Sequence, residues 1–236
     1  MSWRSVVVES LNDAWSVLMP IACAGCGADD RSLCAQCLLD LVADVRVSSI
    51  PAARGDLELF SALRYERRVR RVVLALKEQG RTDAAPALSR SLATAIAQAL
   101  EAHPDAELAP VPSSSAAYRR RGYDPLRLLL RRAGWRAQSV LSYSRSTHRQ
   151  KTLTRADRAA NLAGAFIARR DLRGRRFIVV DDIFTSGATV IEAARALAAA
   201  GGEVACAATL AFTPRLLPMR DNDRGEDYGG AKGAQS

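Results

Sequence analysis

Residues 175–190 read RRFIVVDDIFTSGATV, and this stretch limits the fold more tightly than any other. Four apolar residues in succession, Phe177 to Val180, suit a strand buried on both faces of a parallel sheet. Small hydroxyl residues and a glycine follow at once. A helical segment then runs from Val190 to Ala200 and is stopped by Gly201 and Gly202. A second apolar run, VACAATLAF at 204–212, comes directly after it. Strand, crossover helix and strand are the unit from which parallel sheets are built.

The chain upstream keeps the same alternation. LFSALRY at 59–65 has strand character, Val69 to Lys77 reads as a helix stopping near Gly80, and 86–102 is an alanine-rich helix. ELAPVPSSS at 107–115 reads as a short strand ending in a loop. Asp124 followed by Pro125 is a helix start, Gly134 its end, and SVLSY at 139–143 a brief strand. The expected fold is α/β, with a mostly parallel central sheet flanked by helices. Three regions are expected: an N-terminal helix with a cysteine module over 1–50, the α/β domain over 56–213, and a disordered tail over 214–236. A linker at Pro51–Gly55 separates the first two.

The two aspartates and the turn after them point to a ligand. In open α/β sheets ligands sit at the carboxyl ends of strands. Ser186, Gly187, Ala188 and Thr189 would open the next helix, where backbone N–H groups lack intrahelical acceptors and the helix dipole favours an anion. Thr185, Ser186 and Thr189 add hydroxyl donors. Asp181 and Asp182 would repel a phosphate, so they must face hydrogen-bond donors or a cation. Vicinal ribose hydroxyls are the first and Mg²⁺ is the second. A ribose 5-phosphate satisfies both halves. The motifs GxxxxGK[ST], HExxH and GxSxG are absent, as is a strand-borne GxGxxG.

Cys23-x2-Cys26 and Cys34-x2-Cys37 are two CxxC pairs separated by seven residues. That spacing suits one structural zinc ion held by four thiolates, with no open position for catalysis. Gly25 and Gly27 permit the tight turns. Cys206, in the last apolar run, reads as a small core residue. The formal charge of +9 on 236 residues favours anionic partners, and equally fits an arginine-rich solvated surface. No apolar run reaches membrane-spanning length, and Arg4, Glu9 and Asp13 interrupt any signal-peptide core, so a cytoplasmic protein with no membrane insertion is expected.

The stretch FIVVDDIFTSGATV resembles the phosphoribosyl pyrophosphate (PRPP) motif of type I phosphoribosyltransferases. Together with the cysteine quartet, the chain from about 18 to 212 resembles the ComF family, phosphoribosyltransferase-like proteins linked to competence and DNA uptake. ALRYERRVRRVVLALKEQG, PVPSSSAAYRRRGYDPLRLLLRR and RQKTLTRADRAANLAGAF carry the rest of the likeness. The family's FNQ is replaced by Tyr123-Asp124-Pro125, so its amide pair is absent here and an acid and an imino acid stand in its place.

The resemblance implies a type I phosphoribosyltransferase-like fold. It implies that Asp181 and Asp182 hold the ribose hydroxyls, directly or through Mg²⁺, and that Thr185 to Thr189 cradle the 5-phosphate. The loop around Ser113 would face pyrophosphate. A mobile basic lid over 145–158, with Arg155 and Arg158, would neutralise diphosphate, although the same segment also reads as a solvated loop. Two functions follow. One is transfer of phosphoribosyl to a nitrogen acceptor. The other is a non-catalytic PRPP- or nucleotide-binding adaptor that contacts single-stranded DNA or a DNA-uptake helicase.

Overall fold

A computed structural model describes residues 21–29, 31–53, 55–144, 162–168 and 170–214. Residues 1–20, where the N-terminal helix is expected, the basic stretch from 145 with Arg155 and Arg158, and the chain beyond 214 lie outside the described residues.

Five strands form the central sheet in the order β1-β2-β7-β6-β3. They are β1 (Arg46–Ile50), β2 (Leu57–Arg64), β3 (Glu107–Pro110), β6 (Arg176–Phe184) and β7 (Glu203–Phe212). β2, β7, β6 and β3 are parallel, and β1 is an antiparallel edge. A separate antiparallel pair joins β4 (Leu141–Tyr143) to β5 (Phe166–Ala168). Six α-helices are found among the described residues: α1 (Ala35–Leu39), α2 (Arg67–Glu78), α3 (Ala85–Ala102), α4 (Ser115–Arg121), α5 (Pro125–Arg132) and α6 (Ala188–Ala199).

Strand alternation sorts the core into two layers. Ile178, Val180, Ala208 and Leu210 face α2, α3 and α5, and pack with Val72, Leu76, Leu88, Leu92, Ile96 and Leu129. Phe177, Val179 and Ala207 face the other side, where Val190, Ala193 and Leu197 of α6 meet Phe166 of β5. Cys206 is fully buried in the first layer, as its setting in an apolar run predicts.

Three local features differ from the sequence expectation. β6 does not stop at the aspartates but continues to Phe184, because Ile183 and Phe184 still pair with Ala211 and Phe212 of β7 and Phe184 is buried. Ser115, read as loop, and residues 116–121, to which the sequence reading assigned no element, form α4, capped by Ser114 Oγ accepting the Ala117 N–H at 3.2 Å. Arg46–Ile50, read as lying ahead of a linker, is a strand of the main sheet. Asp124 caps α5 as expected, accepting the Arg127 N–H at 3.1 Å, with Pro125 at the first helical position.

A buried carboxylate ties α6 to β5. Glu192 is 5% exposed. Its Oε1 accepts the Phe166 N–H at 3.1 Å, and Arg195 binds both its oxygens at 2.7 and 2.8 Å while also donating to the Phe166 carbonyl at 3.0 Å. Burial alone would raise the Glu192 pKa, but Arg195 and the N–H groups of Phe166 and Gly164 outweigh it and hold it below its ordinary value. Glu192→Ala leaves the buried Phe166 N–H without its acceptor and Arg195 without its carboxylate, and is expected to cost about 2–4 kcal/mol by urea denaturation near neutral pH. The loss relative to wild type should fade as pH falls through the depressed carboxyl pKa, where wild type loses the same bonds.

Candidate functional site

The carboxyl end of β6 builds the site. Neighbouring residues of a strand point to opposite faces, so the two acids part company. Asp182 leaves on the α2 side and meets Lys77, whose Nζ stands 2.9 Å from its Oδ2. Asp181 leaves on the α6 side and is 9% exposed. Its register partner on β7 is Thr209, whose hydroxyl is 3.0 Å from that of Ser61 on β2. Tyr143 also feels the Asp181 charge, and packs edge-on against Phe166 with ring centroids 5.0 Å apart.

The electrostatics follow from that placement. Burial, then the charge of Asp182, push the Asp181 carboxyl up to about 7, against the Asp182 N–H at 2.8 Å and Lys77, which pull it down. Burial would lower Lys77, but Asp182 and Asp181 more than compensate, and its pKa lies above the ordinary lysine value.

After Phe184 the chain turns through Thr185 and Ser186, both exposed, to Gly187. Gly187 is the N-cap of α6 at φ 78°, and a Cβ there would lie 3.0 Å from the Phe184 ring. Only glycine meets both conditions without strain. The first backbone bond of the helix runs from the Ile191 N–H to the Gly187 carbonyl at 2.9 Å, and no side chain caps the start. The amides ahead of Ile191 therefore stand at an uncapped helix start, with Ala188 and Thr189 in its first turn. Ser113 lies half-buried in the loop after β3. That loop starts beside the acids, since the Val111 N–H donates to the Val180 carbonyl at 2.9 Å. Arg155 and Arg158 lie outside the described residues.

Lys77 is the member of this site that sequence reading did not single out. A lysine in the last turn of an amphipathic helix reads as a complement to the helix dipole, and only the fold brings α2 against β6. Its position is fixed by neighbours. The Tyr123 hydroxyl donates to the Leu76 carbonyl, and Glu78 pairs with Arg120 at 3.1 Å and Arg121 at 3.9 Å. The departure at Tyr123-Asp124-Pro125 thus has a structural account: Tyr123 ties α5 to α2, and Asp124 and Pro125 start α5.

The four cysteines converge as their spacing predicts. Their sulfur atoms all lie within 4.8 Å of one another, a set that can hold a metal ion. Cys26 and Cys34 are 3.6 Å apart, and the Cys34 N–H donates to Cys23 Sγ at 3.3 Å. Gly25 is needed for close approach, since a Cβ would come 2.5 Å from Cys37 Sγ. Burial would raise the Cys23 thiol, but N–H groups of Cys34, Cys26 and Gly25 outweigh it and bring it down to about 6. Burial, then the neighbouring cysteines, push Cys37 strongly up. Four sulfur atoms this close together fit a tetrathiolate metal site.

Mg²⁺ fits the acid pair less well. Asp182 is already ion-paired, and among the described residues the cysteines alone bring together three or more metal-ligating side chains. No helix among the described residues is long and apolar enough to cross a membrane.

The family described as the phosphoribosyl transferase domain matches residues 119–227, a span that holds the acids and the turn. The DNA utilization protein YhgH of Escherichia coli strain K12 is 28% identical, across 78% of this chain and 89% of the relative. The proteins of the same name from Escherichia coli O157:H7, at 27%, and Salmonella typhimurium strain LT2, at 28%, cover the same shares.

The raised Asp181 pKa has a measurable consequence. Between about pH 4 and 7 the native state holds a proton that the unfolded chain has released, so this group lowers stability as pH rises through that window. Asp181→Asn is expected to leave stability unchanged near pH 4 and to raise it by roughly 1–3 kcal/mol at pH 8, read by urea denaturation at both pH values.

Proposed function

We propose that this chain, a ComF-like protein related to the phosphoribosyltransferases, binds PRPP or another phosphorylated ribose and transfers the phosphoribosyl group to a nitrogen acceptor. The observation that carries this is the join at the end of β6. Two carboxylates are followed, after four residues, by an uncapped helix start whose glycine admits close approach. An anionic phosphoryl end suits the amides and hydroxyls of Thr185, Ser186, Gly187, Ala188 and Thr189, each bond to a charged oxygen being worth roughly 1.5–3 kcal/mol. The ribose hydroxyls suit Asp181 and Asp182. The loop at Ser113, with Arg155 and Arg158, is assigned to the diphosphate.

In the transfer, the acceptor nitrogen forms a bond to ribose C1 while the bond from C1 to the diphosphate oxygen breaks, and diphosphate leaves with that electron pair. The chain's residues orient the ribose and hold the phosphoryl end, so that C1 meets the acceptor in line. Charge neutralisation on the leaving group would fall to Mg²⁺ bound by the diphosphate itself.

A second reading, a non-catalytic adaptor for single-stranded DNA or a DNA-uptake protein, is favoured by a different place. A cavity of about 510 Å³ is lined by Arg127, Arg131 and Arg136 together with Tyr118, Tyr123 and Trp135, a mixture suited to a backbone and stacked bases. The printed name of the relatives, DNA utilization protein, points the same way.

Millimolar ribose 5-phosphate or PRPP is expected to raise the melting temperature of the wild type, and Gly187→Ala should abolish that rise. Diphosphate release from PRPP, tested with a panel of amines and bases, should vanish in Asp181→Asn/Asp182→Asn. A melting curve indifferent to both ligands counts against the site. Salt-sensitive binding of labelled single-stranded DNA, with no diphosphate release, favours the adaptor.

We assign the cysteine set to structural zinc. Metal analysis should give about one zinc per chain, and chelation should lower the melting temperature. A folded, metal-free protein with four titratable thiols would contradict this assignment.

A further inference from the structure

The acid pair of β6 carries its own counter-ion. Lys77 and Asp182 are each only 21% exposed and stand 2.9 Å apart. Lys77 is not a free-swinging surface lysine. It occupies the last turn of α2, where Val72, Val73, Ala75 and Leu76 are buried. That turn is held by Tyr123 on the Leu76 carbonyl and by Arg120 and Arg121 on Glu78. Arg121 is 13% exposed and close enough for its charge to be felt at Lys77. Lys77 is thus the cation that meets the acid pair, while Arg121 stays with Glu78.

A hard divalent ion requires several oxygen ligands and sheds its own water reluctantly. Here the carboxylates leave the strand on opposite sides, and one is already paired. Among the described residues, no third carboxylate or histidine joins them to form a metal-ligating set.

We propose that Lys77 is the resident cation of the acid pair. It stands where a divalent metal would otherwise neutralise Asp182, orients that carboxylate as an acceptor for a ribose hydroxyl, and lets a phosphorylated ribose bind without metal. Lys77 is a positioning residue that acts through Asp182. A divalent ion reaches the site only with a ligand that brings diphosphate oxygens of its own. The sugar's identity rests on the phosphoribosyl reading above; the claim about the metal does not.

Two measurements on the full chain, with its thiol cluster loaded with zinc, test the two halves separately. In the first, Mn²⁺ is titrated and followed by its paramagnetic resonance signal. Wild type and Asp182→Asn are expected to bind it equally weakly. Lys77→Met, which removes the charge and keeps the length, is expected to bind it about tenfold more tightly. A wild-type Mn²⁺ site that disappears in Asp182→Asn overturns the proposal.

In the second, ribose 5-phosphate is titrated by calorimetry. Its affinity for the wild type should agree within about twofold in buffer free of Mg²⁺ and Mn²⁺, with the zinc still in place, and in millimolar Mg²⁺. In Lys77→Met it should fall about tenfold without Mg²⁺ and recover with it, a rescue that a merely structural lysine would not show. Loss of wild-type binding in the Mg²⁺-free buffer also overturns the proposal. If ribose 5-phosphate gives no heat in either buffer, the phosphoribosyl reading falls, and the Mn²⁺ titration still decides whether Lys77 is the resident cation. Should Lys77→Met fail to fold, the comparison of wild type with Asp182→Asn decides by itself.

Discussion

β6 is buried on both faces and yet carries two carboxylates, and the rest of the structure answers that conflict. A charge taken out of water is tolerated only with a partner close by. Because strand side chains alternate, one partner cannot serve both acids. On the α2 side the answer is an ion pair, Lys77 with Asp182. On the α6 side it is a row of polar residues, Ser61, Thr209 and Asp181, on three adjacent strands, with a carboxyl pushed toward its neutral form. Each element that supports the site, from the turn of α2 to the β4–β5 pair, lies on one of these two sides.

The turn before α6 depends on the same strand. Because β6 continues to Phe184, that ring sits beneath Gly187 and leaves no room for a side chain. The tight turn and the exposed amides are thus set by packing below the site as well as by the residues within it. The acid pair stays close to the helix start, so hydrogen-bond acceptors and exposed amide donors stand near one another at the end of one strand.

Much of this was legible in the sequence where local chemistry decides the outcome. The unbroken apolar run of Phe177–Val180 announced a doubly buried parallel strand, and the CxxC spacing announced the thiol cluster. Asp124-Pro125 announced a helix start. What depended on tertiary placement was not legible. Lys77 pairs with Asp182 across more than a hundred residues of chain, and nothing in the helix around it marks that partner. The extension of β6 past the acids came from pairing with β7, and Arg46–Ile50 became a strand because β2 offered it an open edge. Residue types gave the chemistry, while long-range pairing decided which groups meet.

The thiol clip and the acid pair also share a support. Gly25, packed on Cys37, lies beside Val72 of α2, and Arg81, just beyond that helix, donates to the Ala22 carbonyl at 2.9 Å. Lys77 projects from the same helix. Disorder in the clip would therefore travel along one rod of backbone to the ammonium group that meets Asp182.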